Sequence, residues 1–308
     1  MRRHGFLVLC TLLLAGASSA GCDLTRFTAN STANMFVRAG GAVERHWDPE
    51  LVGAGLPGSI LQLEGVYSVI PDNQALGVQL MRAYVSYGFG FVEDAAEEAE
   101  ASGDIEEQER LQRRVRLLYL RARNIGLHLM RLRDPGIDDA LSSGPQALEA
   151  YLDSQYTNAE DVALLFWVGY AWGSAINVSR DDPEMILDLA TARLFVERAV
   201  DLDPTYFHYA GVIFLGVVNS AMPEALGGNP TAGREFFERA LTGTERHFFS
   251  VQLNYAKAYA VATGDRALFI SLLREVIDGG DPDPSSRLAN RLARRRAIRL
   301  LRRVDELF

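Results

Sequence analysis

From Ile60 to the end of the chain, apolar residues recur at intervals of three and four. Leu76, Leu80, Ala83, Tyr84 and Tyr87 form one such set, and Leu111, Val115, Leu118, Ala122 and Ile125 another. This spacing stacks side chains on one helical face and marks amphipathic α-helices. Alternating β-branched runs bounded by turns, the mark of strands, are missing. Punctuation falls at "SVIPDNQ", "EASGD", "RDPGID", "SSGPQ", "SRDDPE", "DLDPTY", "ALGGNP", "ATGD" and "DGGDPDP". These breaks cut the chain into helices of about 12 to 25 residues. In "SRDDPE" the acids read as an N-cap with proline at the first helical position. Ahead of Ile60, a short helical lead-in ("TANMFVRAGGAVERHW") runs into "DPELVGAGLPGS", whose proline and glycine content predicts a turn region. The fold class expected is all-α.

The helices carry a degenerate repeat. Tetratricopeptide-type helix pairs need small residues where the two helices touch and large ones in the gaps between. Leu165, Val168, Gly169 and Trp172 suit the first helix of such a pair, and Ala192, Val196, Ala199 and Pro204 the second. A following unit runs through Val212, Leu215, Gly216 and Asn219 to Gly233, Phe237 and Ala240. Another begins at Tyr255, Ala256 and Tyr259 and continues to Leu268 and Leu272; an earlier one links Leu80 and Tyr84 with Val115, Tyr119 and Ala122. The expected architecture is a single tetratricopeptide-like array of helical hairpins over 59–308, closed by a C-terminal capping helix.

The first residues, "MRRHGFLVLCTLLLAGASSAGC", have the plan of a bacterial lipoprotein signal: two arginines, an apolar stretch from Phe6 to Ala17, then small residues. Cys22 after Ala20-Gly21 resembles a lipobox, which assigns 1–21 to a cleaved leader and makes Cys22 the lipidated (palmitate-bearing) N-terminus of a lead-in over 22–58. No later segment offers eighteen uninterrupted apolar residues, so the mature chain is expected to be tethered by lipid alone, facing the periplasm. With Cys10 in the leader and Cys22 acylated, no thiol is left for disulfides or metals.

Of the 308 residues 48% are hydrophobic and 23% charged, a folded globular composition. The formal net charge is −9, and loss of Arg2 and Arg3 with the leader makes it −11. That balance argues against a nucleic-acid surface, which needs clustered basic excess. The acidic tract 93–109 is expected to be a solvated helix end, turn and helix neutralised by the basic run after it. The arginine-rich helix over 287–303 is expected to present a charged outer face.

Candidate chemistry is sparse. The histidines at 4, 46, 128, 208 and 247 form no H-E-x-x-H pair for zinc, and no G-x-S-x-G elbow or phosphate-cradling loop occurs. No cofactor, metal ligand set or catalytic residue is assigned, although a carboxylate pair meeting only in three dimensions is invisible at this level. The richest stretch is "FWVGYAWGSAINVSRDDPE" (166–184). Val168 and Trp172 would be buried against the partner helix. Phe166, Trp167 and Tyr170 lie off that line, either as core or interface filler or as the wall of a ligand channel with Asn177 and Asp181 as polar rim.

Several segments together resemble one family, the T component of tripartite ATP-independent periplasmic (TRAP) transporter systems: "YVSYGFGFVED", "RRVRLLYLRARNIGLHLMR", "WVGYAWGSAINVSRDDPE", "VERAVDLDPTYFHYAG", "PEALGGNPTAGREFFERAL" and "RLANRLARRRAIRLLRRVDELF". "YGFGFVED" and "ALGGNP" are the most specific. The resemblance implies a helical array that assembles as a homotrimer, docks the substrate-binding P component and shelters a hydrophobic or organic-acid ligand, with no covalent chemistry of its own. A general protein-interaction scaffold of the envelope, without a ligand channel, stays open beside it.

Overall fold

The computed structural model describes residues 3–179, 182–223 and 227–308, with side chains from residue 24 onward. Among the described residues the regular structure is helical throughout, with no strand. A long α1 (Arg3–Glu44) leads into α2 (Pro49–Val69) and α3 (Gln74–Tyr87). A π-helical turn, Gly88–Val92, joins α3 to α4 (Glu93–Ser102), and α5 (Ile105–Arg133) follows. Two shorter helices, α6 (Gly136–Ser142) and α7 (Pro145–Gln155), precede α8 (Val162–Asn177), α9 (Pro183–Leu187) and α10 (Leu189–Leu202). The remainder comprises α11 (Tyr206–Ala221), α12 (Pro230–Gly243), α13 (Ser250–Asn254), a second π-turn at Tyr255–Ala260, α14 (Arg266–Asp278), α15 (Arg287–Arg302) and α16 (Val304–Leu307).

The expected turn at 48–59 is helix instead. Asp48 caps α2 by accepting hydrogen bonds from the Glu50 and Leu51 amides, and Pro49 occupies the first turn, where its missing N–H costs nothing. Buried Val52, Leu56, Ile60, Leu63 and Tyr67 then supply a helical stripe that outweighs the glycines and tolerates Pro57. The helix therefore runs across the boundary that the sequence placed at 58.

Elsewhere the caps fall where the punctuation puts them. Asn73, Asp104, Asp182, Asn229 and Asp265 each accept from a backbone N–H two or three residues on. Helices then pack on their chain neighbours: α8 lies between α5 and α10, and α11 between α10 and α12. Small residues sit at these crossings. A Cβ on Gly169 would come within 2.7 Å of both the Ala192 carbonyl oxygen and Val196. Substituting Gly169→Ala is therefore expected to destabilise by about 1–3 kcal/mol, read as a lowered urea midpoint; an unchanged midpoint would show that the α8–α10 crossing has room to spare.

Most buried apolar residues fall into two clusters. The larger runs from α1 to the start of α11, and the second occupies α11 to α15. The C-terminal helix does more than cover the end of the second cluster, because α15 also packs on α1 and α2. The last long helix thus returns to the first part of the chain.

Candidate functional site

A cavity of about 180 Å³ opens where these two regions meet. Its wall is drawn from α1, α2, α3, the first π-turn, α8, α11, α13 and α15. That volume slightly exceeds the roughly 150 Å³ of an engineered apolar cavity known to admit benzene.

The first side of the wall is aromatic. On α8, Phe166 and Trp167 are almost fully buried, while Tyr170 is less enclosed. Phe166 lies 4.8 Å from Trp167 and 5.2 Å from Tyr170, ring centre to ring centre. The Trp167 indole N–H donates to the Tyr206 hydroxyl at 3.1 Å, so only its ring is offered to the cavity. These three residues are at once core packing and cavity wall. Trp172, a helical turn further, is turned away and donates to Asp188 at 3.1 Å. Asn177 is exposed at the far end of α8 and is not part of the wall. Asp181 lies outside the described residues.

The π-turn GFGFV forms a second side. A π-turn adds a residue to the helical circuit and so re-aims the side chains on it. Its glycines allow close approach: a Cβ on Gly88 would meet Tyr119 at 2.8 Å, and one on Gly90 would meet Leu292 at 2.9 Å. Phe89 and Phe91 both line the cavity.

The third side contains backbone strain. Phe207, His208 and Tyr209 all have left-handed φ values, 48°, 57° and 62°. For L residues with bulky side chains this costs roughly 1–2 kcal/mol each, and such strain persists only where surroundings enforce it. Each residue has its own clamp. The Phe207 ring lies 5.0 Å from Trp167 and beneath the Arg82 guanidinium at 5.1 Å. His208 stacks on Phe248 at 4.7 Å. Tyr209 fills the space beside Gly243, where a Cβ would come within 2.2 Å of its ring. Phe207 and His208 line the cavity. Burial pulls the His208 pKa below its ordinary value, with Arg82 adding to the effect and Asp283 opposing it, so the ring is neutral at neutral pH.

Among the described residues two cations reach the wall, and each is already answered. Arg82 is paired with Glu44. Arg296, on α15, is 2% exposed and stacks over Phe89 at 4.3 Å. It donates to the Phe89 carbonyl at 2.8 Å and faces Glu97 at 3.3 Å and Asp94 at 3.4 Å. Behind it Arg299 bridges Asp94 at 2.8 Å and Glu97 at 2.6 Å, Arg295 also pairs with Asp94, and Lys257 reaches Glu97 at 2.6 Å.

This network corrects two expectations. Glu107 and Glu109 of the acidic tract do pair locally, with Arg110 and Arg113. The start of the tract is not solvated, however: Asp94 is 3% exposed and holds α15 in place. Nor do all the arginines of α15 stay on its outer face: Arg291, Arg295 and Arg302 remain exposed, but Arg296 and Arg299 turn inward, since an isolated buried carboxylate is too costly to leave unpaired.

Burial would raise the Glu97 pKa, but Lys257 and Arg296 outweigh it and hold the carboxyl at about 2. A carboxylate depressed in the folded state stabilises fully above its unfolded pKa of 4.5, and that stabilisation is lost as pH falls toward 2. The loss expected from Glu97 is about 3 kcal/mol. Denaturant midpoints for Glu97→Gln and the parent should converge over this interval; parallel curves would show that the network does not titrate there.

Of the residues the sequence singles out, Phe166, Trp167 and Tyr170 line the cavity, while Arg82, Arg296, Phe207 and His208 line it without having been singled out. Arg82 does carry a signal, a charge set next to the buried positions Met81 and Ala83 of α3. The left-handed triplet carries none, because neither glycine nor asparagine marks it. No group of three or more His, Cys, Asp or Glu among the described residues could hold a metal, and no described helix is long and apolar enough to cross a membrane.

Comparison with known proteins supplies the rest. Residues 45–308 match the family described as TRAP transporter T-component. A protein of Treponema pallidum (strain Nichols), described as uncharacterized, is 25% identical over 324 residues, spanning all of this chain and 99% of that protein. The matched span contains almost the whole cavity wall, leaving out only the contribution of α1.

Proposed function

Since the chain belongs to the TRAP transporter T-component family, and so to the envelope-associated accessory components of TRAP transport rather than to an enzyme family, we propose that it docks the substrate-binding P component and shelters an organic ligand in passage. The observation that carries the sheltering role is the aromatic cavity, enclosed by elements from both ends of the chain and bordered by a strained segment. Cavities of this kind, largely apolar with a few polar groups, are the usual form of small-molecule sites.

Three finer features belong to the same reading. The successive close-packed pairs α8–α10 and α11–α12 support a tetratricopeptide-like array. The leader-like residues 1–21 support lipidation at Cys22, which places the domain at a membrane surface facing the periplasm. The chain assembles as a homotrimer, as its family resemblance implies.

The test is native mass spectrometry of residues 23–308, alone and mixed with the solute-binding protein encoded nearest to its gene. A trimer that retains that protein is the expected result. A monomer that ignores it would leave the alternative of a general envelope scaffold.

A further inference from the structure

We infer that the cavity selects an uncharged molecule of single-ring size bearing a hydroxyl or amide group, and that it rejects the corresponding carboxylate. This rests on the sheltering role proposed above and adds the chemical class of what is sheltered.

Charge is the first ground. A buried carboxylate needs a cation free to receive it. Arg82 already has Glu44, and Arg296 is committed to the Phe89 carbonyl, Asp94 and Glu97. An anionic ligand would have to break one of these pairs and leave a protein carboxylate without its partner. The acids behind Arg296 would also repel it.

The polar inventory is the second ground. The Trp167 N–H is taken by Tyr206, and the Asn254 amide N–H donates to the Ser250 carbonyl at 2.8 Å. The Tyr170 hydroxyl and the His208 imidazole have no hydrogen-bond partner among the described residues. They are not sealed in the core as the hydroxyls of Tyr67 and Tyr156 are. Burial raises the Tyr170 pKa far above its ordinary value and, together with Arg82, lowers that of His208. Both groups therefore meet a ligand in neutral form, each able to donate one hydrogen bond and accept another. Gln79 and the Ser86 hydroxyl, also on the wall, are uncharged as well.

Size and shape are the third. Aromatic rings from the π-turn, α8, α11 and the loop before α13 face a space only slightly larger than one that admits benzene. Flat rings are well matched to such walls through edge and offset stacking.

The experiment uses the full-length chain at pH 7 with three probes: p-cresol, toluene and benzoate. Binding is read by calorimetry and by the fluorescence of Trp167 in a Trp47→Phe, Trp172→Phe background, which leaves Trp167 as the sole indole. The expected result is saturable p-cresol binding with a change in Trp167 emission, toluene weaker, and benzoate at least tenfold weaker than p-cresol. Tyr170→Phe should reduce the p-cresol advantage over toluene about fivefold, in line with the loss of one hydrogen bond. Ser86→Phe, which adds bulk at the wall, should abolish binding by all three. Benzoate binding more tightly than p-cresol would overturn the neutral-ligand inference while leaving a sheltering cavity in place. Absence of binding by every probe would overturn the inference and the sheltering role together.

Discussion

Replacing Arg296 with methionine is expected to cost about 3–5 kcal/mol, the cost of breaking a buried ionic network by removing one partner. Arg296 is nearly inaccessible and, among the described residues, is the one basic residue that meets Glu93, Asp94 and Glu97 while also holding the Phe89 carbonyl. Methionine fills much of the volume and still packs on Phe89, so the loss reports charge rather than space. Arg299, Arg295 and Lys257 remain to answer Asp94 and Glu97, which keeps the effect finite. Arg296→Lys should recover only part of it. A lysine keeps the charge but not the planar stack or the forked donors. Chemical denaturation followed by circular dichroism measures both variants. A methionine variant within about 0.5 kcal/mol of the parent would mean that the other three bases suffice.

The second large effect is expected at Trp167. Truncating a buried aromatic to alanine costs about 3–5 kcal/mol, and Trp167→Ala removes more than its own contacts. The Tyr206 hydroxyl loses its donor, and Phe207 loses the ring packed 5.0 Å from its own. One of the three clamps on the left-handed triplet then fails, which should make the segment around Phe207 the first to exchange its amide hydrogens. Trp167→Phe keeps a ring and should cost markedly less. If alanine and phenylalanine destabilise equally, the lost hydrogen bond and not the clamp is the cause.

How far the sequence reveals this protein depends on the range of each interaction. The helices and their caps are legible because a cap and an amphipathic stripe are decided within a few residues: Asp182 before Pro183 is a cap both in sequence and in structure, and the break read at "ALGGNP" contains Asn229, which caps α12. Gly169 and Ala192 mark the α8–α10 contact for a related reason, since small residues stand where the two helices approach. The stretch 48–59 misleads because glycine and proline density is read without its tertiary partners. Gly53 is small to admit Phe91, not to make a turn.

Long-range chemistry is where reading fails. Asp94 and Arg296 are 202 residues apart, and nothing local distinguishes their pairing from ordinary solvated charge. The aromatics at 166, 167 and 170 announce a cluster, yet whether they enclose a space is decided by Phe89, Phe207 and α15. The strained triplet is hidden more deeply, because its residues are ones that a propensity argument assigns to a regular helix start.

The return of α15 to the first third of the chain also has a consequence in time. Helices α1 to α14 can each find partners as they are made, but the side of the cavity formed by Leu288, Leu292 and Arg296 is the last long helix to be synthesised. Closing a loop of some two hundred residues is slow relative to the local contacts that precede it. Until α15 is made, Asp94 and the Phe89 carbonyl lack the Arg296 partner that meets them in the finished fold. A product truncated before residue 287 lacks Leu288, Leu292 and Arg296, and with them the side of the cavity that they form.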